Sequence, residues 1–192
     1  MGGPVAELNC LFSSGYRHMN NIASLIILLI PVIALASGGS PYAGEDLRQI
    51  KSLSEREVTS LRRGDGMGFA KLAELNHYPG PRHVLDISDE LGLSPSQLAE
   101  TESLFEEMRL SAVALGKKIL TAESALGREF ENQSVSPQAL KTALLEIGRL
   151  RAELRYIHLE VHLRQQQLLS PEQVSKYDVA RGYHSAGHEH NQ

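Results

Sequence analysis

The chain has 192 residues and a formal net charge of -4, with no tryptophan. That mildly acidic balance excludes a nucleic-acid scaffold, which would show a basic stripe. The length allows one domain, and 42% hydrophobic residues is ordinary for a soluble protein.

Ile22 to Ala36 forms an apolar run of fifteen residues, broken by Pro31 and ended by Ala34-Leu35-Ala36 before Ser37-Gly38-Gly39. It is short for a membrane span and carries the small-residue pattern of a secretory signal. Residues 1–43 therefore read as a signal region, with cleavage after Ala36 as the first choice and after Ala43 as the second. Met19 is the more usual start, which makes residues 1–18 a misassigned extension; the competing reading is a membrane anchor at residues 22–36. Cys10 is the only cysteine and precedes the run, so it is not a lipid-attachment site and the mature chain has no thiol. An exported, disulfide-free, heptad-rich chain points to a bacterial periplasm.

Residues 44–80 read as a linker followed by short helices. Tyr42 to Ser54 is polar and without period. Ser54-Glu55-Arg56-Glu57 is a capped helix start, with an end near Arg63. Gly64-Asp65-Gly66-Met67-Gly68 is a turn, since a phosphate loop needs a Lys-Ser/Thr pair and a preceding strand. Phe69 to Asn76 reads as helix, stopped by Tyr78-Pro79-Gly80-Pro81; His83 to Leu91 resumes it and Gly92 ends it. This last helix is expected against the base of the hairpin described next.

Leu93-Ser94-Pro95-Ser96-Gln97 and Leu169-Ser170-Pro171-Glu172-Gln173 are near repeats. In each, serine can cap a helix and proline fits its first turn, where an N–H has no intrahelical partner. From Leu98 through Thr101, Phe105, Met108, Ala112, Leu115, Ile119, Ala122 and Leu126 to Phe130, apolar positions alternate in steps of three and four. A second seam runs over Leu140, Ala143, Ile147, Leu150, Leu154, Ile157, Val161 and Leu168, broken at Arg164. The short break at residues 132–137 requires the two helices to run antiparallel. The predicted fold is all-α: a long antiparallel helical hairpin with short N-terminal helices packed on it. Two helices cannot build a core alone, so a further layer must come from the N-terminal part, a second copy forming a dimer, or both.

The seams carry the sharpest candidate chemistry. His158 and His162 stand four apart and share a helix face, beside the seam positions Ile157 and Val161. Two such imidazoles can converge on one divalent ion. Folding the hairpin brings Glu102, Glu106 and Arg109 opposite, where a carboxylate would complete a site and the arginine would oppose it. The competing reading places both histidines on the helix surface beside Arg151 and Arg155. Residues 182–192 are expected to form a disordered tail in which His184, His188 and His190 could capture Zn, Ni, Co or Cu as accessory ligands. No nucleophile elbow or His-Glu-x-x-His pattern is present, so catalysis is not expected. Phe69, Leu72, Leu75, Leu104 and Met108 are candidates for an exposed apolar surface.

The signal, the all-helical body and the paired Leu-Ser-Pro-x-Gln phrases resemble the Spy/CpxP family of periplasmic proteins, whose hallmark is a repeated Leu-Thr-x-x-Gln motif. The likeness covers residues 81–181, with Leu93, Ser94 and Gln97 in one motif and Leu169, Ser170 and Gln173 in the other. Serine replaces threonine in both, which keeps the capping oxygen. The resemblance implies a homodimer that acts as an ATP-independent chaperone of unfolded envelope proteins, or a heavy-metal sensor controlling a membrane-bound regulator. By likeness to metal-sensing members, His158 and His162 stand where a ligand pair is expected, His83 near an N-terminal ligand, and Glu106 one residue from the acidic ligand. Ile87 stands where a second N-terminal histidine would be.

Overall fold

The helix starts follow from the serines. The computed structural model describes residues 40–183; the apolar run at residues 22–36, Cys10, and His184, His188 and His190 lie outside the described residues. After one 3-10 turn at Glu45–Leu47 come α1 (Glu55–Arg63), α2 (Lys71–Glu74), α3 (Pro81–Asp86), α4 (Ser88–Leu91), α5 (Pro95–Glu131), α6 (Pro137–Leu168) and α7 (Pro171–Ala180). Ser54, Ser94 and Ser170 form full capping boxes with Glu57, Gln97 and Gln173. Ser136 caps α6 by accepting from the Ala139 N–H. Each of these contacts satisfies an N–H that has no intrahelical partner.

Helices α5 and α6, of 37 and 32 residues, pack antiparallel. At about 1.5 Å per residue they run about 55 and 48 Å. Ala112, Leu115, Ile119, Leu150 and Leu154 are buried together with Leu53 and Leu61, as the two seams require. Near the base the second seam shifts by one residue. Gln165 is fully buried and donates to the Thr101 hydroxyl at 3.1 Å, while Arg164 swings out to Glu107 at 3.1 Å. The expected gap at Arg164 is thus filled by a polar pair beside it.

The N-terminal segment is less of a linker than its composition suggests. Leu53 is core, Ile50 packs on it, and Ser52 donates to Glu123 at 2.8 Å, so residues 50–54 strap the far half of the hairpin. Two apolar residues three apart are enough to hold such a strap. α1 then crosses α5 at a glycine: the Leu61 carbonyl lies on Gly116, leaving no room for a Cβ there.

Two elements differ from expectation in length. The helix predicted over Phe69 to Asn76 forms only at Lys71–Glu74, after a turn with positive φ at Met67 and Gly68. That predicted over His83 to Leu91 breaks at Ile87, where φ is -128°; the break lets α3 pack on α5 and α4 on α7. Val84, Leu91, Leu169 and Tyr177 form a second buried cluster there. The short helices do lie at the base of the hairpin.

Candidate functional site

Residues 62–83 arch over the C-terminal half of α6 and leave a cleft of about 930 Å³, with His158, Val161 and His162 along α6 and Phe105 and Met108 along α5. Its rim carries Arg62, Arg63, Lys71, Arg82 and Arg109 against Asp65 and Glu74. Three of those cations are already paired, Arg109 to Glu106 at 2.7 Å, Arg82 to Asp86 at 3.2 Å and Arg63 to Asp65 at 3.8 Å.

Both histidines of the pair are buried, at 4% and 6% exposure. This overturns the competing reading, which places both on the helix surface beside Arg151 and Arg155. The cause is the arch: Gly66 lies beside the His158 ring, and Gly80 lies against His162. Neither residue reaches a carboxylate beside Arg151 or Arg155.

His158 packs on Phe69 with ring centroids 5.9 Å apart. Burial, and after it the neighbouring His162, push its imidazole down to about 4 against an opposite pull from Asp65. It is therefore neutral at pH 7, and its buried Nε2 has no hydrogen-bond partner among the described residues. An unmet buried polar atom costs about 1–3 kcal/mol, so a neutral imidazole held this way is primed for a ligand and free of competition from protons.

His162 is oriented by the backbone. Its Nδ1 lies 2.8 Å from the Tyr78 carbonyl oxygen. A carbonyl only accepts, so Nδ1 carries the hydrogen and Nε2 offers its lone pair, the usual preparation of a metal-ligating histidine. A Cβ on Gly80 would stand 2.9 Å from that Nε2 and 2.9 Å from Glu74 Oε1; the two atoms flank one small space that only glycine leaves open. The other Glu74 oxygen accepts from the Tyr177 hydroxyl at 2.8 Å and the Tyr183 hydroxyl at 3.2 Å.

The remaining sequence candidates divide. His83 lines the same cleft, half exposed, with Asp86 3.5 Å away. Glu106 does not line it: both its oxygens are held by Arg109, at 2.7 and 2.8 Å, and that pairing keeps its carboxyl below the usual range. Glu74 takes the place beside His162 that was expected of Glu106. Among the described residues no three His, Cys, Asp or Glu side chains stand close enough to hold a metal ion.

Of the apolar surface candidates, Leu104 is core, Phe69 and Met108 pack against the core, and Leu72 and Leu75 are exposed. A larger surface lies elsewhere. Leu145, Tyr156 and Leu163 are 66%, 63% and 51% exposed, and at about 100° per residue they line up with Gly148, Ala152 and Leu159 on the face of α6 opposite Leu150 and Leu154. α6 is thus apolar on two opposite faces. A helix of that kind calls for something on both sides.

The chain matches no protein-family model, no curated protein and no solved structure. What fold and site define is an all-α protein with a histidine-lined cleft on one side of a helical hairpin and an open apolar stripe on the other. Among the described residues no helix is long and apolar enough to cross a membrane.

Proposed function

We propose that this chain is a periplasmic envelope-stress protein of the Spy/CpxP type, acting by binding and not by catalysis, whose hairpin holds unfolded client proteins without ATP. The observation that carries the reading is the exposed stripe of Leu145, Tyr156 and Leu163. Arg149, Glu153, Arg155 and Glu160 border it. Apolar groups interleaved with both signs of charge hold extended chains without a fixed register. The test is light scattering from a chemically denatured client diluted into buffer, with the wild type and with Leu145→Ser, Tyr156→Ser and Leu163→Ser combined. These side chains are exposed, so the fold survives their loss. Suppression that disappears in the triple variant supports the reading; a wild type that suppresses nothing at equimolar ratio sinks it. If the variant keeps suppression but turns a homodimer into a monomer, the stripe is the seam between copies.

A second reading is favoured by the cleft. Two buried histidines, one with its tautomer set by Tyr78 and one with an unpartnered nitrogen, suit a divalent transition metal such as Zn, Ni, Co or Cu. In that case the protein is a metal sensor that signals to a membrane-bound regulator through the arch, since residues 64–80 rest on both histidines. Zinc titration with amide hydrogen exchange separates the two: a sensor protects residues 64–80 on binding, whereas a chaperone suppresses aggregation equally with and without metal.

A further inference from the structure

Holding clients on the outer stripe leaves the cleft on the opposite face of α6 unused, and two hydrogen-bond acceptors stand ready inside it. His162 Nε2 offers its lone pair because the Tyr78 carbonyl holds Nδ1. Glu74 Oε1 shares the space over Gly80 with that nitrogen, while the Tyr177 and Tyr183 hydroxyls hold the other oxygen at 2.8 and 3.2 Å. Two acceptors facing one space call for a donor with at least two hydrogens, and since one of them is a carboxylate, the donor that suits them best is a primary ammonium. The rim sets the opposite requirement. Arg62 and Lys71 line the cleft, are exposed, and make no ion pair among the described residues, so a ligand that is only a cation is repelled there. A ligand that satisfies both ends carries an ammonium inside and a carboxylate outside.

We propose that the cleft binds a short apolar peptide, with its terminal ammonium between Glu74 and His162, its carboxylate on Lys71 and Arg62 at the rim, and its side chains along Phe105, Met108 and Val161. The size fits, since about 930 Å³ lies within the range of about 300–1,000 Å³ usual for small-molecule sites and is more than one amino acid fills. The spacing fits as well. An extended tripeptide spans about 10 Å; Lys71 and Glu74 stand three apart on α2, with stems about 5–6 Å apart, and the lysine's four-carbon stem supplies the remaining reach. Val161 and both histidines are buried while Arg62 and Lys71 are exposed, so the charges that meet the carboxylate lie outside the surface that meets the side chains. A peptide group also answers the orphaned Nε2 of His158, which no described residue satisfies: it offers both a donor and an acceptor, so it serves either tautomer of that imidazole.

The experiment is titration calorimetry of trileucine into the full-length chain, in buffer with a chelator so that no metal takes part. The companion ligands are N-acetyl-trileucine, trileucine amide and free leucine. The variants are Glu74→Gln, Lys71→Glu, and Leu145→Ser, Tyr156→Ser and Leu163→Ser combined. Glutamine keeps an acceptor for the two tyrosines and loses the charge, and circular dichroism checks that the helices remain. The expected result is one peptide per chain. Acetylation and Glu74→Gln each weaken it at least about tenfold, and acetylation costs Glu74→Gln less than it costs the wild type, which places the ammonium at that carboxylate. Amidation and Lys71→Glu each weaken it about threefold, free leucine binds at least about tenfold more weakly for want of apolar contact, and the stripe variant binds as the wild type does. No binding of trileucine, equal binding of the acetylated peptide, or an acetylation loss undiminished in Glu74→Gln overturns the proposal. Binding lost in the stripe variant also overturns it and assigns the peptide to the client surface. Leucine that binds as tightly as trileucine overturns the peptide as the ligand.

Discussion

Gln97 and Gln173, one in each of the repeated phrases, bond to each other amide to amide: Gln97 Nε2 lies 2.9 Å from Gln173 Oε1, and Gln173 Nε2 lies 3.1 Å from Gln97 Oε1. Each oxygen also accepts from the N–H of its own capping serine, Ser94 or Ser170, at 2.9 Å. Gln97 donates further to the Leu168 carbonyl at 2.7 Å, where α6 ends. The repeat is therefore a clasp: each phrase starts a helix, and the two starts fasten together at the base of the hairpin. A glutamine is needed at both positions because each side chain must donate and accept at once.

Gln97→Ala and Gln173→Ala are each expected to destabilise the fold by about 1–2 kcal/mol, the sum of a lost cap and a half-buried hydrogen bond. The pair is coupled, so the double variant loses less than the two single losses together, by at least about 0.5 kcal/mol. Urea unfolding of the four proteins measures the coupling. Strict additivity would mean that the two phrases cap their helices independently and the clasp contributes nothing.

Gly116 and Gly127 both lie within α5, and their replacement by alanine has opposite signs. A Cβ at Gly116 runs into the Leu61 carbonyl, a backbone atom that can move only if α1 lifts from α5; at Gly127 it meets nothing within 4 Å. Gly116→Ala is expected to cost about 1–3 kcal/mol. Gly127→Ala gains about 0.5–1 kcal/mol from helix propensity. Thermal unfolding midpoints that move the same way for both would refute the close crossing of α1 and α5.

How much of this was legible in sequence follows from how local each feature is. The helix starts could be read because serine and proline act within one turn, and the hairpin because its seams repeat many times with a short break between them. Gly116 could not be read: a lone glycine in a helix is a cost until its neighbour across space is known. The burial of His158 and His162 depends on residues 64–80, far away in the chain and without periodicity. Glu74 is hidden for the same reason; the hairpin's own geometry points to Glu106 instead, and Arg109 is what removes it. The outer face of α6 carried a usable signal, since Leu145, Gly148, Ala152, Tyr156, Leu159 and Leu163 keep the same three-and-four spacing as the seam. Two apolar stripes on opposite faces leave little net periodicity, and the stronger one hid the other.

Removing the strap tests whether residues 50–54 belong to the fold. Glu123 is buried and binds Ser52 at 2.8 Å and Arg151 at 3.0 Å, joining strap, α5 and α6. Glu123→Leu keeps the volume and deletes both contacts, leaving Arg151, itself more than a third exposed, free to turn to water. A loss of about 1 kcal/mol is expected. Faster proteolytic cleavage near Lys51 should accompany it, because the strap loses its buried polar anchor and keeps only the exposed Lys51–Glu131 pair at 2.9 Å, while Leu53 still holds its end. Unchanged cleavage would place the strap's stability in Ile50, Leu53 and the Lys51–Glu131 pair.

The buried His158 sets how stability depends on pH in the metal-free protein. Its imidazole is held at about 4 in the folded chain, against an ordinary value of 6.5. Between those two values the unfolded chain takes up a proton that the folded chain refuses, so acid favours unfolding. Stability is therefore full above pH 6.5, declines as pH falls through the window, and stops responding to this group below about 4. At 1.36 kcal/mol per pKa unit the full decline amounts to about 3 kcal/mol. The facing charges are His162, which deepens the shift, and Asp65, which offsets part of it. Urea unfolding in the presence of a chelator, from pH 7 to 4.5, should show the wild type losing stability faster than His158→Leu. This window lies mostly above the range in which ordinary carboxylates titrate, so the difference between the two curves isolates the histidine. Parallel curves would mean that His158 is solvated in the folded chain, and that the arch of residues 64–80 does not seal it.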